Sequence, residues 1–241
     1  STKHIDWKLY ARSEKLFIKR YEEETNLRGQ IFLDISSSML FPYENKIINK
    51  LNFSIYTAAA LMYLLIRQRD AIGLSSFDDE IRFHANARSS KVHLQMIYNE
   101  LRKYLNPKNI GLQKKTNTAE VLHQLAEIIN KRSLVIIFSD MFTSKDTDSE
   151  KLIIFHVTDK KFEQEFAFSI RPYKFVDLET GNILKLNPNE IRETYIERTQ
   201  NLVQELTNRS IQYGIDIIET DISKDFSEVL KPYLIKRAKF F

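Results

Sequence analysis

Cysteine is absent from the 241 residues, and glycine and proline number only five each. Without cysteine there is no disulfide, no thiolate nucleophile and no sulfur-ligated metal, so a metal would have to be held by oxygen or by histidine nitrogen. The same absence fits a reducing compartment. The scarcity of glycine and proline leaves little room for flexible linkers, so the chain reads as mostly regular elements. No long apolar run occurs either. The longest, residues 55–66, contains Thr57 and falls short of the about 20 residues that cross a bilayer. The N-terminal residues are polar and carry no apolar segment of the secretory-signal kind. The expectation is a cytoplasmic protein without a membrane span.

No charge of one sign dominates. Thirty-six basic residues face 32 acidic ones, for a net charge of +4 and a pI near 9.0. Only the C-terminal residues, with Lys236, Arg237 and Lys239, are locally basic, and a solvated helix end accounts for them. Nucleic acid is therefore not an expected partner. What is present is the material of a core: 43% apolar residues, including 16 Phe and 11 Tyr, which argues against disorder.

Residues 1–27 alternate apolar and polar side chains in two stretches around Arg12-Ser13-Glu14, the pattern of a β-hairpin arm. A second region, residues 28–241, alternates strands and helices. Ile31-Phe32-Leu33 is a short buried strand. A helix over about 46–68 follows, with Leu51, Ile55, Ala58, Met62 and Leu65 at three- and four-residue steps. Residues 71–77 form the next strand, turned at Asp78-Asp79 into an antiparallel return over 80–84. Ser89 or Ser90 caps a helix to about Tyr104. A further helix holds Leu122, Leu125 and Ile129, and then come two fully apolar strands, 134–138 and 151–157. Glu179-Thr180-Gly181 turns a hairpin inserted at about 173–186. Asn187, Pro188 and Glu190 open a long helix as N-cap, first position and third position, and Gly214 stops it. Residues 215–219 make a last strand and 226–239 a closing helix. Apolar strands alternating with helices predict an α/β fold with a mostly parallel sheet, one antiparallel edge strand and helices on both faces. One spacing breaks the rule. Too few residues separate Phe142 from Lys151 for a parallel crossover with a helix, so either those strands are antiparallel or a segment is missing between about 143 and 151. The second alternative is favoured.

Candidate chemistry gathers at strand ends. Asp34, Ser36 and Ser38 follow the first strand two residues apart, Asp140 follows the strand 134–138, and Thr116 stands before a helix. Open α/β sheets bind ligands outside the carboxyl ends of their strands. Two carboxylates and three hydroxyls, all hard oxygen donors, suit Mg²⁺ with water completing the octahedron.

These residues resemble the metal-ion-dependent adhesion site of von Willebrand factor A-type domains: the D-x-S-x-S loop (Asp34, Ser36, Ser38), the T-x-T loop (Thr116, Thr118) and the strand-end acid of Phe138-Ser139-Asp140. The stretch from His4 to Arg12 with Ile5-Asp6-Trp7, then Leu16-Phe17-Ile18-Lys19, then the D-x-S-x-S-Met loop is similar to the bacterial domain-of-unknown-function family fifty-eight. The resemblance implies a Rossmann-like von Willebrand factor A fold in which Asp34, Ser36, Ser38, Thr116 and Asp140 hold Mg²⁺, or Mn²⁺ or Ca²⁺, with Thr118 supporting its loop. It also implies a crossover helix after Asp140 and a MoxR-type AAA+ ATPase as partner. Lys114-Lys115 and Met141 stand where such domains often carry glycine, a departure that bears on loop shape and metal affinity.

Hydroxyl ligands add no charge, so a divalent ion among two carboxylates stays electrophilic and fits a carboxylate offered by a partner protein. The expectation is a non-enzymatic protein-binding module. The alternative is a metal-dependent hydrolase or phosphatase-like enzyme using Asp34 and Asp140. Against it, Ser36 stands where a haloacid-dehalogenase-type site wants its second acid, no P-loop or G-x-S-x-G elbow occurs, and the five histidines show no metal or base spacing.

Overall fold

The computed structural model describes residues 27–42, 48–106, 118–129, 133–140, 151–177 and 181–238. The expected N-terminal hairpin arm lies outside these residues. The chain runs β1 (Arg28–Asp34), a 3-10 turn (Ser37–Leu40), α1 (Lys50–Arg67), β2 (Ala71–Phe77), β3 (Ile81–Arg88), α2 (Lys91–Tyr104) and α3 (Thr118–Ile128). It continues through β4 (Ser133–Ser139), β5 (Lys151–Thr158), a π-helical turn (Lys160–Gln164), β6 (Tyr173–Val176), β7 (Ile183–Leu186), α4 (Pro188–Tyr213), β8 (Asp216–Asp221) and α5 (Phe226–Ala238).

Six strands form one sheet in the order β3-β2-β1-β4-β5-β8. All neighbours are parallel except β2 and β3, which places the one antiparallel strand at an edge. The architecture is Rossmann-like α/β. β4 and β5 pair in parallel from Leu134↔Lys151 to Ser139↔His156, which removes the antiparallel alternative for them. Residues 141–150, on which the missing-segment reading falls, are outside the described residues. β6 and β7 make a separate antiparallel pair, the expected inserted hairpin.

Period-two alternation on the central strands feeds two cores. Ile31 and Leu33 of β1 join Ile136 and Phe138 of β4 on one face, against Leu51, Ile55, Ala58, Leu61, Met62 and Leu65 of α1, Ile97 and Leu101 of α2, and Val229 and Leu230 of α5. Phe32, Val135 and Ile137 point the other way, onto Val121 and Leu125 of α3. Both faces of the sheet are thus apolar, so its strands carry the continuous hydrophobic runs of parallel sheets. Each fully buried Ile or Leu contributes roughly 1.5–3 kcal/mol.

One boundary differs from the sequence expectation. α1 begins at Lys50, because the Asn49 side chain accepts the backbone N–H of Asn52 and fixes the N-cap there. Ile48 therefore lies ahead of the helix and is half exposed. At α4, Asn187 occupies the N-cap position with Pro188 after it, but its side chain makes no cap bond. Its Oδ1 is buried without a hydrogen-bond partner among the described residues, so Asn187 holds the N-cap position by backbone conformation alone. Gly214, at φ 66°, closes α4 in the left-handed conformation.

Candidate metal centre

β2 lies on one side of β1 and β4 on the other. The strand order switches there, and the carboxyl ends of β1 and β4 flank the crevice where this class of sheet binds ligands. β1 ends on Asp34 and β4 on Ser139, with Asp140 next.

Asp34 is 1% exposed. Its Oδ1 accepts the backbone N–H of Ser36 at 2.9 Å, which starts the serine turn, and its Oδ2 accepts the Ser139 hydroxyl at 2.6 Å. The turn continues as a 3-10 segment with Met39 wholly buried beneath it. Ser36 Oγ and Ser38 Oγ stand 3.0 Å apart, and Ser38 Oγ donates to Asp140 Oδ1 at 3.1 Å. Four of the five expected ligands, Asp34, Ser36, Ser38 and Asp140, therefore come together, Asp34 through the Ser36 backbone N–H and Asp140 through the Ser38 hydroxyl. The fifth, Thr116, lies outside the described residues, and Thr118 is the first residue of α3.

Two further residues complete the cluster. Lys50, at the first position of α1, donates its backbone N–H to Phe41 O at 2.9 Å, which ties the helix start to the end of the serine turn. Its ammonium reaches Asp140 Oδ2 at 2.7 Å and Glu163 Oε1 at 2.6 Å, and lies 5.7 Å from the centre of the Phe41 ring. The side chains of Lys50, Asp140 and Glu163 are 2%, 7% and 29% exposed. Glu163 is held in turn: its Oε2 accepts the backbone N–H of Asp159 at 2.7 Å while Asp159 Oδ1 accepts that of Phe162. The sequence reading missed both residues. Nothing in residue type alone marks a lysine near a helix start, or a glutamate among polar residues, as buried. The available signal was that Lys50 falls in phase with Ser54, Thr57 and Leu61, all buried in α1.

Burial weighs against the Lys50 ammonium, but Asp140 and Glu163 outweigh it and raise its pKa, so Lys50 is charged. Asp34 is the opposite case. Burial first, and the charge of Asp140 second, push it up to about 7 despite the bonds from Ser139 and Ser36. No ion pair reaches Asp34 among the described residues. A buried carboxylate ringed by hydroxyls and lacking a counter-charge fits a hard cation. No group of three or more His, Asp or Glu gathers as a metal site among the described residues, so the hydroxyls would have to share the coordination. His156 points its Nε2–H at the Asp140 carbonyl, 3.2 Å away, and burial lowers its pKa. It ties β5 to the residue that follows β4.

A family model described as "Protein of unknown function DUF58" matches residues 1–205. The chain belongs to this DUF58 family. The matched region contains every residue of the cluster, from Asp34 to Glu163, and ends within α4. Two solved structures are similar to this DUF58 chain. One is the conserved hypothetical protein BatB from Bacteroides thetaiotaomicron, with 15% identity, a TM-score of 0.45, and coverage of 88% of this chain and 99% of that one. The other is an aerotolerance-related membrane protein from Bacteroides fragilis NCTC 9343 with multiple mutations to serines, with 14% identity, a TM-score of 0.46, and coverage of 86% and 96%. No curated protein matches the chain. Among the described residues of this DUF58 chain, no helix is long and apolar enough to cross a membrane.

Proposed function

We propose that this DUF58 chain is a non-enzymatic, metal-dependent protein-binding module of the von Willebrand factor A type. Asp34, Ser36, Ser38, Thr116 and Asp140 would hold Mg²⁺, with Mn²⁺ or Ca²⁺ as alternatives. The observation that carries the reading is the buried Asp34 carboxylate, which no ion pair reaches among the described residues and which accepts the Ser36 backbone N–H, beside the Ser36 and Ser38 hydroxyls that lead on to Asp140 at the switch in strand order. A bound divalent ion supplies an electrophilic point for a partner's carboxylate. The chain's own residues do the rest. Ser139 and the Ser36 N–H hold Asp34 in one orientation, Met39 anchors the serine turn in the core, and Lys50 fixes one oxygen of Asp140 while leaving the other toward Ser38. The resemblance to MoxR-associated domains makes a MoxR-type AAA+ ATPase the expected partner, in assembly or maturation of protein complexes.

The test is affinity capture from the native host with Mg²⁺ or with EDTA, using the wild-type chain and Asp34→Ala. An AAA+ ATPase should be retained by the wild type with Mg²⁺ and lost in the other two arms, while far-UV circular dichroism shows the variant folded. Capture that survives EDTA sinks the reading.

A further inference from the structure

We propose that Lys50 sets how tightly this cleft holds a divalent cation, acting as a tethered cation that shares Asp140 with the metal. Glu163 is the counter-charge that keeps it in place. The inference rests on the metal-binding reading above and assigns a role that the five candidate ligands do not contain.

Asp140 is divided between two neighbours. Oδ1 belongs to the serine turn through Ser38, and Oδ2 belongs to Lys50. The lysine cannot swing away. Its backbone is bonded to Phe41, its stem is buried at the start of α1, and its ammonium lies between two carboxylates and near an aromatic ring. Moving it to solvent would leave Asp140 buried without this counter-charge, which is costly. Lys50 is therefore a permanent positive charge beside a candidate ligand, in a cleft screened from water. It cancels much of what Asp140 can offer an ion, so the ion would rest mainly on Asp34 and the hydroxyls. Such an ion is loosely held and under-neutralised, which strengthens its demand for a carboxylate from outside. One residue thus weakens metal binding alone and raises the dependence on a partner's acid. Glu163 works in the other direction. Its negative charge offsets Lys50, and it is the more exposed of the two carboxylates that hold the ammonium.

The two residues should therefore shift metal affinity with opposite signs, which a purely structural role for the pair would not do. The measurement is a Mn²⁺ titration of the full chain, with free ion counted by electron paramagnetic resonance and folding checked by circular dichroism. Lys50→Gln should bind Mn²⁺ about tenfold tighter, Glu163→Gln about threefold weaker, and Lys50→Arg, which keeps the charge, within about twofold of wild type. A folded Lys50→Gln that binds no tighter than wild type overturns the proposal. If Lys50→Gln does not fold, Glu163→Gln decides: equal or tighter binding overturns it. Binding by the wild type without this response fells only the role of Lys50. Absence of Mn²⁺ binding in every folded variant removes the metal reading as well, whereas binding gained only on Lys50→Gln supports the proposal in its strongest form.

Discussion

Asp34 carries the sharpest energetic signature of any single side chain in the cluster. Its folded pKa, pushed up to about 7, lies above the ordinary carboxylate value of 3.8. Below that ordinary value the group is protonated in both folded and unfolded chains and contributes nothing. As pH rises from about 4 to 7, the unfolded chain has released the proton while the folded chain still holds it, so metal-free stability falls through this window. Above pH 7 the penalty is fully present. Asp34→Asn removes the titration, so in EDTA its stability relative to wild type should climb between pH 4 and 7, by on the order of 4 kcal/mol. Urea unfolding across that range measures it, and a pH-independent difference contradicts the assignment. The residue-level site was only partly legible in the sequence. Asp34, Ser36, Ser38 and Asp140 stand out because strand ends announce themselves. Lys50 and Glu163 do not, because a charged residue in a first turn looks solvated until a tertiary partner buries it.

At the scale of elements, the apolar runs of β1, β2, β4 and β5 were legible because a sheet covered on both faces demands them, and the helices followed from their three- and four-residue spacing. β3 was read too short. Its pairing with β2 slips between Ile72↔Arg88 and Leu74↔Ala85, a bulge whose alternation no simple period captures. Gly73 of β2 sits opposite that slip and beside Gln30 of β1. A Cβ added there would come 2.0 Å from Gln30 Oε1, 2.5 Å from Ala85 O and 2.7 Å from Ala87 N. The last two atoms are backbone and cannot rotate away. Gln30 could turn aside only by breaking its bonds to Ser75 Oγ and Ala85 O. Gly73→Ala should therefore destabilise the chain by about 3 kcal/mol, more than an ordinary surface change. The urea midpoint should fall with the slope unchanged, and a midpoint within error of wild type would show that the bulge can relax.

For the whole molecule, the order β3-β2-β1-β4-β5-β8 does what no local segment can: it brings the serine turn that follows Asp34 against Asp140, more than 100 residues further on, where the Ser38 hydroxyl donates to Asp140 Oδ1. The sequence made the parallel sheet legible, and with it the expectation that strand ends converge, but not the parallel pairing of β4 with β5, because the residues between them in the sequence are too few for a helical crossover. A ligand joining the ends of β1 and β4 exists as a site only in the folded chain, since the unfolded chain holds these oxygens far apart. Binding must then stabilise the fold by mass action. At a free Mg²⁺ concentration about 100 times the dissociation constant, the gain is about 2.7 kcal/mol. In a domain of this size that corresponds to a rise in melting temperature of roughly 5–10 °C. Asp34→Ala should melt at the same temperature with or without Mg²⁺. Ile136→Ala, which opens a cavity in β4 away from the oxygens, should melt lower than wild type by an amount set by about 2–5 kcal/mol and yet keep the full Mg²⁺ shift. Loss of the shift in Ile136→Ala, or its survival in Asp34→Ala, would place the stabilising ion somewhere other than the switch between β1 and β4.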